Sequence, residues 1–534
     1  MQNNKSNYTT RQLKLPLEIE KLININDEVY TFCEIMDNID LTRYFVEKGY
    51  KTGRPRCNSE NLLKVILFAF MEHGEVSLRD LEKLCRNDIR YMYLLDDMKP
   101  PSHTTLGNFI NKELKDTIGE IFLDINSYIF EKEAVDISHV YIDGTKLEAN
   151  ANKYTWVWKK SCIRNRNKVF VKISELLEDI NKKVLVFLGI KLETRIEYTV
   201  EYMEEILKQY IDATRLDITT FVSGRGKRKS IYQKQYENLK DYTERLKTYA
   251  KHIKICGNFR NSYSKSDHDA TFMRVKRDYM GNDQLIPSYN VQAAVCDEYI
   301  AVIDVKQYAS DMDCFIPLME KFKVAYGKYP KYPVADAGYG SFNNYIYCEE
   351  HGMEKFMKFT MFNKEINDKN YLNNPYRAAN FKINENNELV CPNNKRFLYK
   401  STRPIRNNNY GRTEEIYECE NCEGCKLREK CTKTATGNRT IRINKELTAI
   451  HKEVINNLKT VQGTLLFRNR CIQSEGTFGI IKWNRCYKRI TRRGLENVML
   501  ELMLIACGFN LYKYHNKKYR HKLYKDLSNS HLTA

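Results

Sequence analysis

The stretch SYNVQAAVCDEYIAVIDVKQ, residues 288–307, contains two apolar, strand-like runs joined by a short turn. Two such runs around a tight turn predict a β-hairpin. Two further strand patterns lie on either side of it, HVYIDGTKLEA at 139–149 and YPVADAGYGS at 332–341. Helical patterns separate and follow these strands. The chain is therefore predicted to form a mixed α/β sheet.

The regions around these strands suggest a division of the chain. We expect an N-terminal segment (1–50), a helical unit (51–120), an α/β core in two parts (136–360 and 445–515), a helical insertion in its first part (about 164–255), a cysteine-rich insertion (385–440) and a basic tail (516–534). The order of strand, helical insertion, paired strands, helix, strand and helix is typical of a ribonuclease-H-like sheet. The sequence thus predicts a single α/β core that is interrupted by a helical insertion and by a cysteine-rich insertion.

The predicted helical unit consists of short helices with clear start signals. Asn58 or its neighbour, Ser77 and Ser102 each precede an apolar helical pattern and can cap it. Short helices with sharp turns and scattered basic residues resemble a helix-turn-helix DNA reader. A plain helical bundle remains the alternative.

Charge favours a polyanionic partner. The 534 residues carry 87 Lys and Arg against 68 Asp and Glu, a formal net charge of +19. Such an excess favours nucleic acid through phosphate neutralisation, although an unspecialised basic surface would give the same count. No long apolar run or hydrophobic signal core is apparent, so we expect a cytoplasmic protein with no membrane partner.

Three acidic residues stand where apolar elements are expected to end or begin. Asp143 and Asp336 close strand patterns before small residues, and Glu475 is expected to open a helix. Singly, such residues are usually turn formers or surface charges. Three carboxylates brought together suit two Mg²⁺ ions, which prefer oxygen ligands. Lys482, two helical turns after Glu475, is expected on the same face, where it could hold a phosphate.

Four long motifs carry a resemblance to a known family. They are DGTKLEANANKYTWVWKKS, SDHDATFMRVKRDYMGNDQLIPSYNVQAAV, ADAGYGSFNNY and EGTFGIIKWNRCYKRITRRGLENVMLELMLIACGFNLYKY. They resemble bacterial insertion-sequence transposases of the DDE class, with an InsH-like N-terminal helical domain and a C-terminal DDE domain.

The resemblance implies a ribonuclease-H-like core and Mg²⁺ (or Mn²⁺) chemistry with two ions. Asp143, Asp336 and Glu475 would be the catalytic residues and metal ligands. The implied partners are double-stranded DNA, as terminal inverted repeats and target, and a second copy in a homodimer. The implied location is the bacterial cytoplasm, in association with the nucleoid.

The chain departs from related cut-and-paste transposases around the third acid. Those proteins carry Tyr-x2-Arg-x3-Glu-x6-Lys, and Glu475 with Lys482 matches its second half. The Arg and Tyr positions hold Cys471 and Arg468 instead, with Arg470 one residue away as a substitute. The carry-over of the exact DNA-end chemistry is therefore open.

A basic run, NRCYKRITRRG, follows the third acid. Positive charge beside a metal site would position DNA through its phosphates. A solvated basic face is the alternative. The predicted DNA-binding residues are Arg470, Lys482, Arg485, Lys488, Arg489, Arg492 and Arg493.

The segment CENCEGCKLREKC spaces four cysteines as C-x2-C-x2-C-x5-C. Closely spaced thiolates suit a structural, tetrahedral Zn²⁺ site, although free or redox thiols and an iron–sulfur cluster share the pattern. The candidate Zn²⁺ ligands are Cys419, Cys422, Cys425 and Cys431, with Cys391 upstream as a further candidate.

The leading hypothesis is thus a DNA transposase that binds terminal inverted repeats and cleaves and transfers strands with Mg²⁺. A metal-dependent DNA nuclease without strand transfer is one alternative. A non-catalytic, transposase-derived DNA-binding protein is the other.

Overall fold

The computed structural model describes most of the chain. The described ranges are 22–45, 57–96, 98–224, 226–275, 283–386, 388–406, 408–434 and 436–532, with side chains described up to residue 520. Most of the N-terminal segment expected at 1–50 and the first residues of the unit expected at 51–120 lie outside these ranges.

Six helices form the N-terminal part: α1 Glu28–Asp37, α2 Ser59–His73, α3 Leu78–Asn87, α4 Ile89–Leu95, α5 His103–Phe109 and α6 Lys115–Glu133. The predicted caps are confirmed, because the side chains of Asn58, Ser77 and Ser102 accept backbone N–H groups at the starts of α2, α3 and α5. A π-helical turn, Ile110–Leu114, connects α5 to α6.

The next elements are β1 His139–Glu148, β2 Trp156–Trp158, α7 Lys159–Lys183, α8 Val200–Thr214, α9 Ile231–Cys256 and β3 Ser262–Ser264. Strands β2 and β3 pair antiparallel at the base of the helical insertion. Helices α7 to α9 share a separate buried cluster that includes Ile173, Leu177 and Tyr210. The insertion therefore has its own small core.

The main sheet is completed by β4 Thr271–Arg274, β5 Leu285–Cys296, β6 Tyr299–Lys306, β7 Tyr332–Ala335 and β8 Phe356–Met357, with α10 Phe315–Tyr326 and α11 Phe342–Glu350 between them. The predicted β-hairpin is confirmed as β5–β6. Asp297 and Glu298 in its turn both have positive φ, 46° and 72°, as a type I′ turn requires.

The sheet is mixed, as predicted. Its order runs β6–β5–β1–β7–β8, and β4 pairs with the start of β5. Strand β5 is antiparallel to β1 and β6, whereas β1, β7 and β8 are parallel. The three parallel strands consequently present their carboxyl ends along one edge.

The remaining elements are α12 Phe362–Asn367, α13 Lys369–Leu372, β9 Lys382–Ile383, β10 Leu389–Val390, β11 Phe397–Pro404, β12 Thr413–Cys419, α14 Arg428–Cys431, β13 Thr440–Ile443, α15 Lys445–Lys459, α16 Val461–Arg470, α17 Gly476–Gly479 and α18 Leu495–Leu532. Strands β11, β12 and β13 form an antiparallel sheet of the cysteine-rich part. Helix α15 returns the chain to the main sheet.

Helix α18 ties the N-terminal helices to the sheet. It packs against α2, α6 and β6 within one buried cluster. Gly508 allows the closest approach, because a Cβ there would lie 2.4 Å from the carbonyl carbon and oxygen of Phe70. The helical unit expected as a separate domain therefore shares its core with the sheet.

By length and composition, the segment Leu495–Arg520 of α18 could span a membrane. In this fold 67% of its most apolar window is buried inside the protein. The composition is that of a core helix and gives only weak evidence for a membrane span. The basic tail expected from residue 516 continues as helix to Leu532.

Candidate active site

Asp143 and Asp336 lie side by side on parallel strands. Asp143 belongs to β1, and Asp336 directly follows β7. The register pairs Tyr141 with Val334, which sets the two aspartates two residues further along their strands as neighbours. The expectation that β1 ends at Asp143 is wrong, because β1 continues to Glu148 through its pairing with β5.

Glu475 approaches from a helix that starts well before it. Helix α16, a π-helical segment Cys471–Glu475, α17 and a second π-helical segment Ile480–Asn484 form one continuous helical run. The expectation that Glu475 opens a helix is therefore wrong. Ser474, Thr477 and Phe478 are buried, so this run is anchored against the sheet by the residues around the glutamate.

Arg470 connects the first and third acids. Its guanidinium lies 3.5 Å from Asp143 Oδ1 and 3.0 Å from Glu475 Oε1. The Arg470 side chain is only 6% exposed, against 19% for Asp143 and 55% for Glu475. Arg470 is thus part of the acidic site itself rather than of an open basic face.

The π-helical turn explains why Arg470 can replace an arginine expected at position 471. A π-helix has i→i+5 hydrogen bonds and so needs about one more residue per turn than an α-helix. The segment Cys471–Glu475 therefore brings a residue five before Glu475 to the place that a residue four before it would hold in an α-helix. Arg470 accordingly contacts Glu475 at 3.0 Å.

The acids repel one another. Burial, together with the charges of Asp336 and Glu475, raises the pKa of Asp143 to about 6, although Arg470 and the Gly144 N–H oppose the rise. The Asp143 carboxylate thus carries a charge in a place that disfavours it. Such a group gains from a nearby cation.

A buried polar network that sequence reasoning missed supports the aspartates. Gln292, opposite Gly144 on β5, accepts a hydrogen bond from the Tyr339 hydroxyl. Asp311 accepts amide hydrogen bonds from Asn290 at 2.6 Å and Gln292 at 3.1 Å. The alternation of Asn290 and Gln292 within an apolar strand was the available signal, since buried amides need partners.

Gly144 is required by this network. A Cβ at Gly144 would lie 2.3 Å from Gln292 Nε2 and 2.8 Å from the Tyr339 hydroxyl oxygen. Asp336 is held from the other side, where its Oδ1 accepts the Gly338 N–H at 2.8 Å. The two aspartates are thus fixed by their loops and by the neighbouring strand.

Lys482 lies on the β1 side of the acids. Its ammonium donates to the Thr145 hydroxyl and to the Lys146 carbonyl at 3.2 Å. Burial lowers the pKa of Lys482 to about 8, and Asp143 opposes the change. Lys482 is therefore a largely buried cation beside the first acid.

The basic run after Glu475 divides into inward and outward residues. Arg485 is an inward one: its guanidinium donates to the carbonyls of Phe70 at 2.8 Å and Met71 at 2.5 Å. Arg489 lies 3.5 Å from Glu148 at the end of β1, and Arg493 donates to the Asn150 carbonyl.

The other two basic residues lie nearby. The Lys488 ammonium stands 4.0 Å from the ring centre of Trp483. Arg492 donates to the side chain of Asn111 from the N-terminal helices. Arg489 and Arg493 thus border the end of β1, Lys488 and Arg492 contact Trp483 and Asn111, and Arg485 stabilises the contact with α2.

The five candidate cysteines surround one small cavity of about 20 Å³, enough for a single water-sized occupant. Backbone N–H groups of Lys395 and Arg439 point to the sulfurs of Cys391 and Cys422, each at 3.4 Å. The Arg439 guanidinium lies 2.8 Å from Cys431 Sγ.

No metal geometry is formed at either place. Across the described ranges, no three His, Cys, Asp or Glu side chains are close enough to hold an ion as they stand. The donor sets nevertheless fit: three carboxylates suit Mg²⁺ or Mn²⁺, and four or five sulfurs suit Zn²⁺. In this structure the Arg470 guanidinium supplies positive charge between the carboxylates of Asp143 and Glu475.

Two protein-family models match the chain. One, described as Transposase DDE domain, matches residues 390–515, and another, described as Transposase domain (DUF772), matches residues 17–112. No curated protein and no solved structure matches significantly. The first match contains Glu475 and Lys482, whereas Asp143 and Asp336 lie outside both matched ranges. These transposase matches, one at each end of the chain, support its identification as an insertion-sequence transposase of the DDE class.

Proposed function

We propose that this transposase binds the terminal inverted repeats of its insertion sequence and catalyses Mg²⁺-dependent strand cleavage and strand transfer. One observation carries the proposal. Asp143 and Asp336 are neighbours on parallel strands, and Arg470 joins Asp143 to the distant Glu475. These contacts support one shared site for three acids that are far apart in sequence.

A ribonuclease-H-like core is part of the proposal. The strand order β6–β5–β1–β7–β8, with one antiparallel hairpin and three parallel strands, supports it. Such a sheet fixes Asp143, within β1, beside Asp336, which directly follows β7. A third acid can then approach from a helix, as Glu475 does.

The residues divide the chemical work. Asp143, Asp336 and Glu475 would hold two Mg²⁺ (or Mn²⁺) ions, whose charge activates the attacking oxygen and stabilises the leaving oxygen. Lys482 would contact a phosphate on the β1 side. Arg470 would hold the Glu475 carboxylate near that of Asp143 and offset the repulsion between the two negative charges.

DNA would be positioned by the basic residues around the end of β1. Lys488, Arg489, Arg492 and Arg493 keep their place in this prediction. Arg485 is dropped from it, because its guanidinium faces two backbone carbonyls of α2. The N-terminal helices would read the repeat, and a homodimer would hold both ends, in the nucleoid of the bacterial cytoplasm.

A Zn²⁺ ion in the cysteine-rich part would be structural. Cys419, Cys422, Cys425 and Cys431, or Cys391 in place of one of them, would bind it. The hydrogen bonds to Cys391 and Cys422 support this set. Zinc content of purified protein tests the proposal: about one equivalent per chain is expected, and less than about half would contradict it.

Asp143→Asn tests the catalytic proposal. The variant should lose Mg²⁺-dependent cleavage of a repeat-end duplex while binding that duplex as the parent does. Asp212→Asn, on an exposed part of α8, is the matched control and should cleave normally. Cleavage by Asp143→Asn at the rate of an active parent would refute the site. A parent that binds the duplex and does not cleave it would favour the non-catalytic alternative.

Joining of a precut end to plasmid DNA separates a transposase from a nuclease. The parent should join such an end in Mg²⁺, and Asp143→Asn and Glu475→Gln should not. Cleavage without any joining would favour the nuclease alternative.

A further inference from the structure

Lys358 occupies a place beside Asp336 that the sequence does not reveal. Strands β7 and β8 are parallel, with Val334 opposite Phe356 and Ala335 opposite Met357. The next residue on each strand is Asp336 or Lys358. The lysine therefore stands at the same sheet edge as the acids, on the side away from Lys482.

The Lys358 ammonium is held over an aromatic ring. Its nitrogen lies 3.4 Å from the ring centre of Phe467 and 5.4 Å from that of Phe362. Within the described part of the chain it has no carboxylate or hydrogen-bond partner. Burial lowers the pKa of Lys358, Cys471 and Asp336 oppose the change, and Arg470 adds to it. A half-buried cation in this position lacks the oxygen ligands that an ammonium prefers.

A nearby lysine shows the contrasting, structural case. Lys355, three residues earlier, is buried and lies 2.8 Å from Glu349 and 2.9 Å from Glu453. Its charge is thus compensated within the protein. Lys358 lies beside Asp336 without such compensation. The contrast indicates a role in ligand binding for Lys358 and a role in stabilising the fold for Lys355.

The backbone around Lys358 is closely packed. A Cβ at Gly340 would lie 2.1 Å from the Lys358 carbonyl oxygen, and the Tyr345 hydroxyl donates to the Met357 carbonyl at 3.0 Å. The loop that carries Asp336 therefore packs closely against the end of β8, next to Lys358. The backbone of Lys358 is therefore held next to the loop of Asp336 by the fold.

We propose that Lys358 binds a phosphate of the DNA strand that is cleaved, on the β8 side of the acids. This inference rests on the proposed function. Lys482 beside β1 and Lys358 beside β8 would then flank the carboxylates and hold phosphates on both sides of the scissile bond. On binding, the Lys358 ammonium would exchange its contact with the Phe467 ring for a hydrogen bond to a charged phosphate oxygen.

Lys358→Met tests the proposal, because methionine keeps the apolar stem over Phe467 and removes the charge. Single-turnover cleavage of a repeat-end duplex in Mg²⁺ should fall about 10- to 100-fold, as expected for loss of one charge-assisted contact. Lys358→Arg should recover most of the rate. Lys364→Met, on the exposed part of α12, should cleave as the parent does.

Neutral methylphosphonate linkages locate the contact. One linkage at a time is placed at each phosphate flanking the scissile one. At one position the parent should lose activity about 10- to 100-fold while Lys358→Met loses little further, since both changes remove the same contact. Should Lys358→Met not fold, Lys358→Gln enters the same comparison.

Two results would overturn the inference. One is cleavage by Lys358→Met at the parent's rate. The other is a reduction in cleavage rate by Lys358→Met that multiplies with the reduction caused by a methylphosphonate at every position, as expected for a lysine with only a structural role. Failure of the proposed function is seen separately, since Asp143→Asn would then cleave like the parent, or the parent would not cleave at all.

Discussion

Asp143→Asn should make the metal-free protein more stable at neutral and alkaline pH. In the native state burial among other carboxylates raises the pKa of Asp143 from its ordinary 3.8 to about 6. Because the native state holds this proton more tightly than the unfolded state does, ionisation costs native stability. The cost is absent below about pH 4, grows between pH 4 and 6, and is complete above about pH 7.

The magnitude follows from the shift in pKa. At pH 8 the ionised Asp143 costs about 3 kcal/mol of unfolding free energy, and at pH 5 about 1.5 kcal/mol. Asparagine removes the ionisation, while Glu475 still faces Arg470 at 3.0 Å. The variant should thus exceed the parent by about 3 kcal/mol at pH 8 and by about half as much at pH 5.

Urea denaturation with EDTA at pH 5, 6.5 and 8 measures this difference. Asp212→Asn, an exposed carboxylate on α8, is the control and should change stability little at any pH. Adding Mg²⁺ should stabilise the parent and narrow the gap, because ions that bind only the native state favour folding. A variant less stable than the parent at pH 8, or an advantage independent of pH, would refute the reasoning about Asp143.

Three other perturbations test the packing around the site. Gly508→Ala should lower the unfolding free energy by about 1–3 kcal/mol, because its Cβ would meet the Phe70 carbonyl of α2; an unchanged urea midpoint would contradict the close helix contact. Gly144→Ala should reduce cleavage far more than DNA binding, since its Cβ would displace the Gln292 amide; equal loss of both would argue for general misfolding. Arg470→Ala should destabilise the metal-free protein at pH 8 by about 3 kcal/mol and less at pH 5, as urea denaturation at both pH values would show, because its removal leaves the largely buried Asp143 carboxylate facing Asp336 and Glu475 without a compensating cation.

Local patterns in the sequence located much of the fold. The hairpin β5–β6 follows from two apolar runs around Asp297 and Glu298, and the helix starts follow from capping side chains. These features depend on residues close in sequence, where periodicity and turn chemistry act directly. The three acids were predicted from similar local patterns, such as the small residues that follow Asp143 and Asp336.

Other features depend on how distant segments pack. The extent of β1 beyond Asp143 depends on the long partner strand β5, and the helical unit shares a core with α18 because Gly508 admits α2. The sequence shows neither the pairing nor the approach. A division into separate domains was therefore the natural expectation, and the shared core is a result of tertiary packing.

By itself, the sequence determined the mixed sheet and the cysteine spacing, and it predicted the three acids, since each of these patterns lies in residues near one another. Only the tertiary structure decided which cations accompany the acids. Arg470 reaches Glu475 through a π-helical turn, and Lys358 reaches Asp336 through the register of β7 and β8. Because helix phase and strand register are set by long-range packing, they cannot be predicted from a local sequence pattern.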